Sequence, residues 1–243
     1  MKVIGVIPAR YKSSRFPGKP LAIIGGKPML CWVYERAKKA KGLDDLLVAT
    51  DDERISQLCK EYGMKYMMTS VNNKTGAERI AEVAEKTDAD IYLNIQGDEP
   101  LIEPEEIEKL ILYKLGSEDS YVGLKSDIVS ESEVINPNIV KVVCDLDGFA
   151  LYFSRTAIPY TKDVASVKRC MGLYAYDRKL ILKYKEWKPS ALEIAENGVE
   201  MLRAMEHGER VKLLDTSWQS IGVDLPEHIS QVEIIMKSKG LLG

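Results

Sequence analysis

The sequence predicts an α/β protein with a mixed, mostly parallel sheet flanked by helices. Three observations carry this. Apolar, strand-like runs alternate with amphipathic, helix-like runs over roughly the first 100 residues, the spacing of βαβ units with right-handed crossovers. The first apolar run, 3–7, leads directly into a cation-rich loop, 8–20. The second half loses the alternation and carries short β-type segments, which predicts a β-rich insertion there.

The elements follow in order. Strands are predicted over 2–7, 46–50, 65–68 and 90–95, and helices over 28–40, 52–62, 77–86 and 104–115. Pro28 falls in the first turn of the first helix and Gly42 just past its end. The polar stretch 116–132 reads as loop. Segments 139–144 and 150–154 flank Asp145-Leu146-Asp147-Gly148, a turn sequence, and read as paired strands. A strand is predicted over 172–176. One amphipathic helix is predicted over 192–207, with Leu192, Ala195, Val199, Leu202 and Met205 on one face. A strand over 210–214 and a helix over 226–238 complete the chain. The 243 residues suit a single domain, 1–243.

Composition narrows the function classes. The 34 basic and 37 acidic residues give a net charge of −3, so no nucleic-acid partner is expected. Cys31, Cys59, Cys144 and Cys170 form no Cys-x-x-Cys pair, and His207 and His228 are the two histidines. A structural zinc site is not expected, and a reducing, cytoplasmic location fits. No run approaches the ~20 apolar residues of a membrane span, and the run at 3–8 is too short for a signal peptide.

The loop after the first strand carries the first functional signal. Arg10, Arg15 and Lys19 lie among Pro, Ser and Gly where α/β proteins receive phosphates. Arg presents a rigid fork of donors and Lys a point charge, and three cations suit a triphosphate. Gly18-Lys19 is followed by Pro20, so this is not a Ser/Thr-terminated P-loop, and no Gly-x-Gly-x-x-Gly is present. Asp98 follows an apolar strand, with Gly97 allowing close backbone approach and Pro100 ending the strand. A carboxylate there suits Mg²⁺, a hard ion that bridges phosphates, although position alone favours a turn-forming Asp. Asp224 with Glu227 reads as a capping-box-like start to the last helix, and Thr75 with Glu78 as an N-cap. His207 is expected on a solvated helix face.

The runs PARYKSSRFPGKPL at 8–21, GKPML at 26–30, VATDDERI at 48–55, TGAERIAEV at 75–83 and NIQGDEPLI at 94–102 resemble those of the 3-deoxy-manno-octulosonate (Kdo) cytidylyltransferases. The resemblance continues through NPNIVKVV at 136–143, ALYFSRTAIPY at 150–160, GLYAY at 172–176 and GVDLPE at 222–227, nearly the whole chain in the family's order. It implies a nucleotide-diphosphosugar-transferase-like fold: a nucleotide-binding half over about 1–115, acceptor-binding and dimerisation elements over about 116–220, and a terminal helix over 221–243 that returns a metal-binding Asp. It implies CMP transfer from CTP to the anomeric hydroxyl of Kdo or a related acid, with loss of pyrophosphate, in a homodimer. The product would feed lipopolysaccharide, capsule or another glycan.

The resemblance also implies residue roles. Arg10, Arg15 and Lys19 would hold the triphosphate, and Arg10, Lys19 and Asp98 would carry catalysis. Asp98 and Asp224 would bind Mg²⁺, which orients the acceptor oxygen and lowers its pKa. Thr75, Gly76 and Arg79 would cradle the cytosine. Gln96, Arg155, Cys170, Tyr174, Glu200 and Met201 would face the acceptor. Several positions depart from the family pattern. Asn72-Asn73 replaces Asp-His, Cys170 replaces a His, Glu200-Met201 replaces Glu-Gln, and Asp224-Leu225-Pro226-Glu227-His228 replaces Asp-Thr-Pro-Glu-Asp. Met and Cys suggest a less polar acceptor pocket, hence either a modified acid or Kdo with compensation by neighbours. A non-catalytic, nucleotide-binding regulator is the reading from another class, against which the retained acidic pair stands.

Overall fold

The computed structural model describes residues 1–13, 15–161 and 163–242. Its main sheet is built on β1 (Val3–Ala9), β4 (Asp45–Thr50), β5 (Tyr66–Met68), β6 (Ile91–Ile95), β7 (Tyr121–Asp127), β10 (Lys168–Asp177) and β11 (Val211–Asp215). Their spatial order is β11-β7-β10-β6-β1-β4-β5. β1 pairs in parallel with β4 and β6, β4 with β5, and β7 with β11, whereas β10 runs antiparallel between β6 and β7. A hairpin of β8 (Lys141–Cys144) and β9 (Ala150–Ser154) attaches through β8 to β10. This hairpin is the expected β-rich insertion.

Side-chain alternation sends apolar residues to both faces, as a sheet covered on both sides requires. From β1, Val3, Ile7 and Ala9 point to one core and Ile4 and Val6 to the other. The first core is closed by α1 (Met29–Ala37), α2 (Glu53–Glu61) and α4 (Pro104–Leu115). The second is closed by α3 (Gly76–Lys86), α6 (Arg178–Glu186) and α8 (Glu200–Glu206). A third, smaller cluster packs α9 (His228–Ser238) on the two-stranded hairpin of β2 (Ile23–Ile24) and β3 (Lys27–Pro28), with Val223, Val232, Met236 and Ile24 at its centre. Phe16 joins this cluster, so the C-terminal helix braces the cation-rich loop.

Four expectations change. The stretch 116–132 is not loop. It contains β7, which lies between β10 and β11, and the short α5 (Glu131–Ile135). Lys125 and Ser126 made it look polar, yet both are buried, with the Lys125 ammonium 3.0 Å from Asp215. β10 starts at Lys168 instead of 172 and carries an irregularity between Cys170 and Tyr174. The helix expected over 192–207 is two helices, α7 (Ala191–Ala195) and α8, because Asn197 and Gly198 adopt φ of 51° and 82°. α6 was not predicted: its charged sequence hides Leu180, Ile181 and Tyr184, which are buried.

Candidate active site

The carboxyl ends of β1 and β6 lie side by side, because Val6 pairs with Asn94 in the parallel register. That adjacency brings Asp98 to face the cation-rich loop. Gly97 makes it possible: a Cβ there would sit 3.0 Å from the Pro8 carbonyl oxygen. The loop itself is closed by Gly18, whose N–H donates to the Tyr11 carbonyl at 2.9 Å from a φ of 72°. A cavity of about 650 Å³ opens over these two strand ends. Arg10, Arg15, Lys19, Thr75, Gly76 and Arg79 line it, together with Gln96, Asp98, Arg155, Glu200 and Asp224.

Charges alternate across its floor. The Lys19 ammonium lies 2.6 Å from Asp98 and 3.4 Å from Asp224. The Arg15 guanidinium lies 3.1 Å from Asp224 and donates to Asn138 at 2.6 Å. Burial pushes the Lys19 pKa down, but its two carboxylates outweigh this and hold it above its ordinary value. Arg10 donates to the Lys74 carbonyl at 3.2 Å and is otherwise exposed. Asp224 does not cap the last helix. α9 begins at His228 with Glu227 at its N-cap, and the Asp224 N–H donates to His228 Nδ1 at 3.2 Å. The carboxylate is thereby left to the two cations. The segment bearing it returns to β6 through Val223, whose N–H donates to the Asp98 carbonyl at 2.9 Å.

The N-terminus of α3 forms one wall. Thr75 accepts from the Glu78 N–H at 3.2 Å, the expected N-cap. The reciprocal half of the box is missing, because the Glu78 carboxylate accepts from Lys74 N–H at 2.7 Å. The Gly76 and Ala77 N–H groups donate to Glu200 at 2.8 and 3.0 Å. Burial nonetheless raises the Glu200 carboxyl to about 7, against the lowering effect of those bonds. Glu99, next to Asp98, is raised to about 7 by burial and by the Asp98 charge. Arg79 is buried, donating to Thr69 with Asp51 3.6 Å away. Gln96 points its amide nitrogen at Asn94 Oδ1, 3.4 Å away.

A raised carboxyl pKa has a consequence for stability. Between the unfolded value near 4.5 and about 7, native Glu200 keeps a proton that the unfolded chain has lost. Its contribution to stability is therefore full below pH 4.5 and falls as pH rises towards 7. Glu200→Gln, which keeps an acceptor for Gly76 and Ala77, is expected to flatten the decline between pH 5 and 7.5. Denaturant midpoints across that range measure it, and an unchanged slope would contradict the burial of this carboxyl.

The expected acceptor residues divide. Gln96, Arg155 and Glu200 line the cavity. Arg155, however, donates to the carbonyls of Glu196, Pro137 and Asn197 at 2.8, 2.9 and 3.2 Å, so it braces the 196–198 turn. Cys170, Tyr174 and Met201 do not line the cavity: they sit in the apolar layer shared by α3, α6 and α8. The Cys170 sulfur lies 3.4 Å from the Tyr174 hydroxyl, and burial pushes the thiol up to about 12. Cys170, Gly172 and Tyr174 share one face of β10 by the period-2 alternation of a strand; Gly172 lies against Gln96, and Cys170 and Tyr174 pack into the core of that face. Asn138 and Lys74 were not singled out from the sequence. Both lie in segments of loop chemistry with no local signal of the cavity they reach.

Among the described residues no three His, Cys, Asp or Glu side chains cluster as a metal cage. The donor set does fit Mg²⁺, which is held by one or two carboxylates together with substrate phosphates instead of an all-protein cage. Asp98 and Asp224 already share one cation, the Lys19 ammonium.

An α/β sheet with cations after β1, Asp98 after β6 and Asp224 returned beside them from the segment before α9 fits the class of nucleotidyltransferases. The family model described as cytidylyltransferase matches residues 4–211. The chain is 45% identical to the 3-deoxy-manno-octulosonate cytidylyltransferase of Geobacter metallireducens over 96% of each chain. It superposes with a TM-score of 0.92 on the structure of CMP:2-keto-3-deoxy-manno-octonic acid synthetase complexed with CTP, at 39% identity over 98% of this chain and 100% of that one. A putative glucose-1-phosphate thymidylyltransferase from Bacillus anthracis, 18% identical over 96% and 94% of the two chains with a TM-score of 0.67, shares the fold. The protein belongs to the 3-deoxy-manno-octulosonate cytidylyltransferase family.

Proposed function

We propose that the protein transfers CMP from CTP to the anomeric hydroxyl of Kdo or a closely related acid and releases pyrophosphate. The observation that carries this is the convergence of Arg10, Arg15, Lys19, Asp98 and Asp224 in one cavity of a chain so similar to Kdo cytidylyltransferases. Arg10, Arg15 and Lys19 hold the triphosphate and neutralise the charge that grows on departing pyrophosphate, so catalysis is mainly positioning and electrostatics. Thr75, Gly76 and Arg79 form the wall for the base. Gln96, Arg155 and Glu200 face the acceptor, whose oxygen attacks the α-phosphorus as the bond to pyrophosphate breaks. Asp98 and Asp224 would hold Mg²⁺, which would supply positive charge to the phosphate and acceptor oxygens.

Kdo is favoured over a differently decorated acid because Gln96, Arg155 and Glu200 are kept on the cavity wall, where Asn73, itself polar, is a departure from the family pattern. The Cys170 and Met201 departures lie outside its lining. Protein with Mg²⁺ and CTP is expected to release pyrophosphate with Kdo, and not when UTP or ATP replaces CTP. Activity with 8-amino-Kdo or sialic acid, and none with Kdo, would overturn the acceptor assignment. No pyrophosphate with any acid would favour a nucleotide-binding regulator.

The same reading includes a cytoplasmic homodimer formed through part of the second half. No described helix is long and apolar enough to cross a membrane.

A further inference from the structure

We propose that Glu99 is a positioning residue that clamps the 220–224 segment to the turn after β6 and so sets the placement of Asp224 relative to Asp98. The inference rests on the assignment of those two aspartates to the metal. Glu99 does not line the cavity and lies half-buried behind Asp98. One carboxylate oxygen accepts from the Ser220 hydroxyl. The Ser220 carbonyl is fixed in turn by the buried Arg169, whose guanidinium donates to it at 2.6 Å. The other Glu99 oxygen fills a slot between two glycines: a Cβ on Gly172 or Gly222 would lie 3.4 or 3.3 Å from it. The Val223 N–H donates to the Asp98 carbonyl.

The segment carrying Asp224 is itself neither helix nor strand, since residues 216–227 lie between β11 and α9. It is tied to the turn after β6 by backbone at Asp98 and by side chain at Glu99, beside its bonds to Arg169 and His228. The far end of the clamp is fixed by the Ser220 hydroxyl on Glu99 and by Arg169 on the Ser220 carbonyl. The placement matters because Mg²⁺ demands near-ideal octahedral geometry with short ligand distances. Residues that orient ligands to a metal typically change its affinity by roughly 10–100-fold when removed. The triphosphate cations lie on a different segment and keep other partners when Asp224 shifts: Lys19 keeps Asp98, Arg15 keeps Asn138, and Arg10 donates to the Lys74 carbonyl.

The test separates the two. Mn²⁺ is titrated into protein with CTP and followed by electron paramagnetic resonance, with the Mn²⁺–CTP background subtracted. CTP binding is measured separately in EDTA. Glu99→Ala and Ser220→Ala are expected to weaken Mn²⁺ binding by roughly tenfold or more, with CTP binding in EDTA changed by less than about twofold. Glu99→Gln, which keeps an oxygen for the Ser220 hydroxyl, should recover most of the loss. Unchanged Mn²⁺ binding in Glu99→Ala and Ser220→Ala overturns the proposal. So does a parallel fall in metal-free CTP binding, or a Glu99→Gln variant as impaired as Glu99→Ala. If Asp98→Asn and Asp224→Asn also leave Mn²⁺ binding intact, the metal assignment itself fails, which is a different result from failure of the clamp alone.

Discussion

Asp98→Asn is expected to lower turnover by roughly a thousandfold while the protein stays folded. The magnitude follows from what the carboxylate faces. It sits at the end of β6, opposite Lys19, at the point where the phosphates of a nucleotide in the cavity must lie. An amide is a poor ligand for a hard cation, and loss of one preorganised electrostatic group at a reacting phosphate costs on the order of 10²–10³ in rate. The fold should tolerate the change. The Lys19–Asp98 pair is only partly buried, with 17% and 29% of the side chains exposed, so its loss should cost no more than about 1 kcal/mol. Lys19 also keeps Asp224 as a partner. Steady-state kinetics with a thermal melt measure both. A variant retaining roughly a tenth of wild-type turnover would remove Asp98 from the chemistry.

Arg203→Ala is expected to have the largest effect on stability, a loss of about 3–5 kcal/mol, the usual result of leaving one member of a buried ion pair alone. Arg203 and Glu193 have side chains 1% and 3% exposed. The guanidinium is bidentate, with both N–O distances 2.7 Å, and also reaches Glu78 at 3.0 Å. It stacks over the Tyr184 ring. Glu193 in turn closes the capping box of α7 with Ser190. One side chain thus ties α7, α8, α6 and the start of α3 together. Because α8 begins at Glu200, which meets Gly76 and Ala77, the damage should also reach the cavity wall. Removing both partners, with Arg203→Leu and Glu193→Leu together, should recover much of the stability because no fully buried charge is left alone; Glu78, 17% exposed, keeps the Lys74 N–H. Denaturant unfolding measures the difference, and a loss below about 1 kcal/mol in Arg203→Ala would mean that water reaches Glu193.

Local signals were good guides where the physics is local. Thr75 caps α3 as its position before an amphipathic run indicates, because an N-cap needs only a side-chain oxygen and the N–H three residues on. The reading of Asp224 with Glu227 as a cap used the same rule and was superseded. Two cations from the opposite end of the chain claim that carboxylate, and the helix starts four residues later. Charged residues misled for the same reason. Lys125 looks like loop and lies in an interior strand, its ammonium reaching Asp215 while its stem is buried. The resemblance placed Cys170 and Tyr174 at the acceptor, but period-2 alternation along β10 turns both into the core that α3, α6 and α8 cover.

From its sequence alone this protein was determined to be an α/β chain with three cations after its first strand and a carboxylate after a later one. Period-2 and period-3.6 patterning and turn chemistry act over a few residues, so they are legible without the fold. The tertiary structure decided which of those charges meet. It set β1 beside β6, returned Asp224 across more than 200 residues to Arg15 and Lys19, and left Glu99 behind the wall they form. Ion pairs and hydrogen bonds reach only about 3 Å. Their partners are therefore chosen by strand order and packing, which no short stretch of sequence contains.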